Sequence, residues 1–341
     1  MTEPDRLNAL LLAMPKAELH IHIEGSLEPE LIFALARRNR IALPYADVEA
    51  LRAAYAFTNL QSFLDVYYAG AGVLQTEQDF FDMAWAYFER AARDNVRLAE
   101  IFFDPQTHTD RGVAFETVID GLHRACLQAR ESFGIDASLI MCFLRHLDET
   151  AAFATLEQAR PHIGRFIGVG LDSSELGHPP EKFERVFAAC RALGLHSVVH
   201  AGEEGPPSFI RGALDALHAE RIDHGVQCLR DPALVQRLRD ERIALTVCPL
   251  SNVKLKVVAS LAQHPLRKLL EAGLIATVNS DDPAYFGGYV GSNFVETFAA
   301  LKLDAGHAQA LARNSLGASF ADPSVKRRHL DALEACVEAY R

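Results

Sequence analysis

The stretch Glu18-Leu19-His20-Ile21-His22-Ile23-Glu24-Gly25 alternates polar and apolar residues. That is the period of a β-strand, so His20 and His22 project from one face, where two imidazoles can grip one divalent metal. The pair alone is ambiguous, because a polar strand face also carries histidines for no chemical reason. Three later segments repeat the theme of an apolar run ending in reactive side chains: His200-Ala201-Gly202-Glu203, Asp223-His224-Gly225 and Asn279-Ser280-Asp281-Asp282-Pro283. Burying such groups at the end of one core is costly unless they are paired or bind metal. Three neutral imidazoles and one carboxylate suit Zn²⁺ and leave a position for water, and His20, His22, His200 and Asp281 make that set, for one zinc per chain. Zinc lowers the pKa of its water from about 15.7 to about 7. Glu203 lies a short step past His200, close enough to act as a general acid if burial keeps its carboxyl protonated. His224 can orient the hydroxide, and Asp281 can also take the proton of the water.

Such residues need a frame that brings distant segments to one end. Short β-rich runs alternate with longer helical patterns along the whole chain. Strands are expected at 17–23, 96–103, 137–143, 166–171, 196–200, 222–224, 243–247 and 275–278, with helices such as 181–193, 231–241 and 265–272 between them. Gly194 and Gly273 stand just past two of these helices as stops. Eight β/α units in a row predict an α/β fold of the (β/α)₈ TIM-barrel type, whose chemistry sits at the C-terminal strand ends. A doubly wound sheet is the alternative, but no Gly-rich phosphate turn follows the first strand. Residues 28–95 exceed the minimal unit. They predict a helical insertion that either lids the barrel mouth, with Leu60-Gln-Ser-Phe-Leu-Asp-Val-Tyr-Tyr68 as its amphipathic helix, or packs at the edge of the core. Extra helices are expected at 294–303, 308–320 and 324–340, and residues 1–341 read as one barrel domain. By contrast, His108, His123, His146, His162, His218, His264, His307 and His329 fall in loops or helical stretches and read as surface residues.

Composition narrows the function class. The chain has 341 residues, 49% of them hydrophobic, enough for a large core. A formal charge of −11, with no basic block, argues against a nucleic-acid partner. The six cysteines include no C-x-x-C pair, which fits a reduced cytoplasmic protein rather than a disulfide framework. Acidic residues near Met1 and the shortness of the apolar run 10–14 argue against a signal peptide or a membrane span. The oligomeric state is left open, a homo-oligomer included.

Taken together, these motifs resemble the adenosine/adenine deaminase family of the amidohydrolase superfamily, nearly end to end. The resemblance rests on residues 18–25, Leu60-Gln-Ser-Phe-Leu64, His200-Ala-Gly-Glu203, Asp223-His-Gly225, Cys248-Pro249 with Ser251-Asn252, and Asn279-Ser-Asp-Asp-Pro283. It implies a single zinc on the set above and a purine substrate, with Glu203 protonating ring N1, His224 placing the hydroxide that attacks C6, and Asp282 bonding N7. The departures point to the substrate. Glu24 stands where adenosine deaminases usually carry an Asp that meets the ribose, and Glu175 falls near a glycine whose backbone meets the purine N3. Side chains there would crowd a sugar and could hold N3 or N9–H of a free base. Leu250-Ser-Asn-Val-Lys-Leu255 and Ala284-Tyr-Phe-Gly-Gly-Tyr289 look like the adenine deaminase branch. The resemblance therefore implies hydrolysis of adenine to hypoxanthine and ammonia. The nearest alternatives are adenosine and an N6-substituted purine.

Overall fold

The computed structural model describes residues 3–57 and 60–340, so residues 58 and 59 of the expected insertion and the extreme ends of the chain lie outside the described residues. Eight parallel strands follow one another in sequential order: β1 Lys16–Glu18, β2 Val96–Phe103, β3 Asp136–Leu144, β4 Gly168–Asp172, β5 His196–Ala201, β6 Arg221–His224, β7 Ala244–Val247 and β8 Ile275–Val278. Helices join each strand to the next, the arrangement of a (β/α)₈ barrel. Local chemistry sets the helix ends. Asp231 caps the helix Pro232–Asp240 by accepting from the N–H groups of Ala233 and Leu234. Gly194 and Gly273 take left-handed φ values of 81° and 77° just beyond their helices, a conformation that costs glycine little.

The first strand differs from its expected span of 17–23. The regular ladder stops at Glu18, and the H-x-H segment continues as isolated bridges, Ile21 to Asp281 and His22 to Phe102. Here the barrel closes. Leu19 N–H donates to Asn279 Oδ1 at 2.9 Å, Asp281 N–H to the carbonyl of His20 at 3.1 Å, and His22 N–H to the carbonyl of Asp281 at 3.0 Å. The alternation survives because Ile23 N–H donates to Phe102 O and Phe102 N–H to Ile21 O. Asp281 makes two hydrogen bonds of this seam with φ 65°, and His224 at the end of β6 has φ 63°. Left-handed backbone at two non-glycine residues is strain of the kind found at functional sites.

Inside the strands, Phe102, Ile140, Cys142 and Val198 form an apolar cluster separate from the main core between strands and helices. Beneath it Arg221 and Glu100, each about 1% exposed, make a buried ion pair. Phe320, just past the helix Ala305–Ala318, places its ring 4.8 Å from the Arg221 guanidinium and gives its N–H to Glu100. The C-terminal extension thus closes the bottom of the barrel. Its last helix is Pro323–Ala339. Among the described residues, the insertion after β1 holds four α-helices, Pro29–Asn39, Val48–Ala54, Leu60–Ala71 and Glu77–Arg93. Of these, Leu60–Ala71 lies across the barrel mouth, where Phe63 packs on Phe286 and Tyr285 with ring centroids 4.8 and 5.7 Å away. Among the described residues no helix is long and apolar enough to cross a membrane. All six cysteines are free, and five of them are buried.

Candidate active site

The residues that end β1, β5, β6 and β8 converge at the mouth. His20 Nε2 and His22 Nε2 lie 3.3 and 3.6 Å from Asp281 Oδ1, and the Nε2 atoms of His22 and His200 are 3.1 Å apart. The ring of Phe102 forms the floor, 5.0 Å from His20 and 5.1 Å from His22. The opposite nitrogen of each imidazole meets an acceptor. His20 Nδ1 is 2.9 Å from Thr246 Oγ1, whose own hydrogen goes to Asp223 Oδ1 at 2.7 Å, so His20 carries its proton on Nδ1. Asp223 Oδ2 faces His200 Nδ1 at 3.5 Å, and a carboxylate held low in that position draws the ring proton to Nδ1, while Asp172 Oδ2 faces His22 Nδ1 at the same distance. The Nε2 atoms of His20 and His200 are thus left without hydrogens, that of His22 lies beside them, and His20 Nε2 is buried without a hydrogen-bond partner. Lone pairs so directed repel unless a cation lies among them, and imidazole with carboxylate is a donor set for zinc. Burial, and next the ring of His200, push the His22 pKa down to about 3, so that ring is neutral. Burial opposes charge on Asp281, and only positive charge among the facing groups, a protonated imidazole or a bound cation, holds its carboxyl well below the usual range.

His224 also belongs to this nest. His20, His200, His224 and Asp281 offer donor atoms within 4.8 Å of one another, so distance alone does not separate ligand from neighbour. The Nε2 of His224 lies 3.7 Å from Asp281 Oδ2 and 3.5 Å from Glu203 Oε2. Glu203 is held well above the ordinary carboxyl range by burial, then by Asp281, Glu175 and Glu204. A carboxyl whose proton is held more tightly than usual beside this nest is suited to act as a proton donor.

Glu175 departs from its expected place. It is absent from the cavity wall, and its two oxygens accept from the N–H groups of Gly202, Glu203, Glu204 and Gly205 at 2.7, 3.1, 2.8 and 2.5 Å. Four backbone donors fill a carboxylate, so Glu175 shapes the loop carrying Glu203 instead of meeting a base. Replacing Glu175 with Ala would strip those donors of their acceptor and remove the carboxylate nearest the buried Arg145, at 3.9 Å. The expected loss is about 3–5 kcal/mol of stability, read from the urea midpoint. A change under about 1 kcal/mol would show that water replaces the carboxylate without cost.

Glu24 is likewise one step back from the cavity. Its Oε1 accepts from His108 Nε2 at 2.8 Å and from Asp104 N–H at 3.2 Å, and Asp104 is the residue that lines the wall. Close behind, Gly25 leaves room for Asp282, since a Cβ there would fall 1.9 Å from Asp282 Oδ1. Asp282 is buried, its Oδ1 finds no partner, and burial followed by the charge of Asp281 raises its pKa well above the usual range. Burial also raises Asp104 and Asp172. The empty space of the cavity and its open mouth together is about 570 Å³, and Phe63, Leu64, Tyr67, Tyr68 and Phe286 supply its apolar side.

Three histidines read as surface residues are not: His108 is fully buried against Glu24, His264 is 3% exposed against Asn252, and His329 is 6% exposed beside Asp136. Helix periodicity cannot show a contact made across the fold. Asp104 was also missed, although Phe102-Phe103-Asp104-Pro105 follows the same rule of an apolar run ending in a polar residue.

Comparison with known proteins agrees with this geometry. The family model for adenosine deaminase matches residues 15–336. An adenine deaminase from Albidiferax ferrireducens is 64% identical over 336 residues, 98% of this chain and 97% of its own. The crystal structure of an adenine deaminase from Arthrobacter aurescens superposes with a TM-score of 0.94 at 54% identity, covering 96% of this chain and 100% of that one. An amidohydrolase from Burkholderia ambifaria with bound zinc gives a TM-score of 0.91 at 27% identity, covering 100% of this chain and 94% of its own. On these matches, and with a barrel whose strand ends gather imidazoles and carboxyls at one mouth, the chain belongs to the adenosine deaminase family.

Proposed function

We propose that this enzyme is an adenine deaminase that hydrolyses adenine to hypoxanthine and ammonia, with one zinc held by His20, His22, His200 and Asp281. The observation that carries the reading is the placement of the buried Glu203 and His224 beside an imidazole–carboxylate nest suited to a cation, in a chain closely similar to proteins named for that activity. A zinc ion held there would supply hydroxide near neutral pH. The chain's own groups do the rest. Glu203 gives its proton to N1, which makes C6 electrophilic. Asp281, the low-pKa carboxylate, takes the proton of the water. His224 turns Nε2 toward the oxygen that adds at C6. Asp282, protonated by its surroundings, donates to N7. Asp281 then returns that proton to N6, the C6–N6 bond breaks and ammonia leaves, and the C6 hydroxyl gives its proton back to Glu203 as the C6=O of hypoxanthine forms.

Asp104, Asp172 and Glu204 are the other carboxyl groups on the cavity wall. A free base offers N9–H to such an acceptor, and a nucleoside has no hydrogen there. Glu24 and Glu175 act in this reading from behind the wall, through Asp104 and through the 202–205 loop. The helix Leu60–Ala71, with Phe63 and Tyr67 turned to the cavity, is the lid over the base, and the insertion 28–95 belongs to the same functional unit as the barrel. The test is deamination by the zinc-loaded protein, followed by ultraviolet absorbance with adenine and adenosine in parallel. Adenine should be consumed at least about 100-fold faster, since leaving a buried acceptor unpaired costs about 3 kcal/mol. Equal rates would overturn the sugar-side account, and inactivity on both with zinc bound would overturn the substrate.

A further inference from the structure

We propose that His264, acting through Asn252, fixes which nitrogen of His224 carries the proton, making His264 and Asn252 positioning residues for the reaction. The inference rests on the functional reading above. The chain of bonds starts at a donor that cannot be reversed. Leu266 is the first residue of the helix Leu266–Glu271, and its N–H has no acceptor within the helix. It donates to His264 Nδ1 at 3.1 Å. Burial lowers the pKa of His264 to about 4, so its ring holds one proton, and with Nδ1 accepting that proton is on Nε2. His264 Nε2 then donates to Asn252 Oδ1 at 3.2 Å. This fixes the amide, because the flipped form would set N–H against N–H.

The amide nitrogen of Asn252 consequently points toward the cavity, 3.3 Å from His224 Nδ1 and 3.4 Å from Glu203 Oε1. Its two hydrogens serve both. His224 Nδ1 is an acceptor, so the neutral ring carries its hydrogen on Nε2, the atom facing Asp281 and Glu203. His224 is thereby a donor to a developing oxygen and has no lone pair for a metal, which separates it from His20 and His200, whose Nε2 atoms are bare. Glu203 Oε1 is likewise an acceptor, so the acidic hydrogen lies on Oε2. None of Leu266, His264 and Asn252 is placed in contact with the substrate. All three are buried, and Asn252 is held by the helix Pro249–Lys254.

The test uses the zinc-loaded full chain labelled with ¹⁵N-histidine. Two-bond proton–nitrogen spectra, with His224 assigned by its loss in His224→Asn, should show the Nε2–H tautomer in the wild type, and the Nδ1–H form would overturn the proposal. His264→Leu removes the donor, and His264→Gln keeps an amide N–H near the same place. The expected result is a fall of about 10- to 100-fold in kcat for His264→Leu, with KM and zinc content within about twofold, and recovery to within about tenfold of wild type in His264→Gln. Unchanged kcat in His264→Leu, or a Gln variant as poor as Leu, would overturn it. A wild type inactive on adenine would instead sink the functional reading, while the tautomer spectra would still judge the bonding chain.

Discussion

Exchanging Glu203 for Gln should lower kcat on adenine by about 10³-fold while metal content and fold stay as in the wild type. The amide has nearly the same size and can still accept from Asn252 with its oxygen. It cannot deliver a proton, and general acids of this kind contribute about 10²- to 10⁴-fold. The pH dependence has a definite sign. Burial, Asp281, Glu175 and Glu204 all disfavour the charged carboxylate, so the native carboxyl keeps its proton well above the usual carboxyl pKa. Wild-type activity is then complete while Glu203 is protonated and falls as pH rises through its raised pKa. In the Gln variant that alkaline limb should vanish along with most of the rate. Steady-state kinetics across pH, beside metal analysis, read both effects. A variant within tenfold of wild type, with its alkaline limb intact, would remove Glu203 from the role of acid.

What could be read from sequence was whatever follows period and apolar runs. The strands expected at 96–103 and 275–278 coincide with β2 and β8, and the helix expected at 231–241 is found at Pro232–Asp240, because short β-rich apolar runs, a capping Asp and a following Pro are local signals. The H-x-H segment shows where locality fails. Its alternation held, but its hydrogen bonds were divided between Asn279, Asp281 and Phe102, partners that only closure of the barrel supplies. Groups whose role depends on a distant partner stayed hidden for the same reason. Glu175 lies where a substrate contact was expected from resemblance, yet its carboxylate turns to four N–H groups about thirty residues on. His108 and His264 occupy segments without strand character, and their burial comes from Glu24 and Asn252 in other parts of the fold.

Replacing Asp281 with Asn is the change expected to act on the metal and the reaction together. The backbone offers no excuse for a loss, since Asn is among the few residues that accept the left-handed φ of 65° at this position. Size and hydrogen-bonding reach are also nearly unchanged. What disappears is the charge. Three neutral imidazoles would have to hold a dication without a carboxylate in a buried nest, and the base for the water would be missing. Metal retained after dialysis should fall, and turnover of adenine should drop by about 10³-fold or more even with zinc in excess, a scale set by losing proton transfer together with charge stabilisation. Chelation of the wild type should abolish turnover, and added zinc should restore it. The two roles separate in the readout. Full metal retention with lost turnover would leave Asp281 as proton acceptor alone, whereas lost metal with turnover recovered at high zinc would leave it as ligand alone. Normal metal and normal turnover together would take Asp281 out of both, because no other residue in the nest offers a carboxylate to His20 and His22 at once.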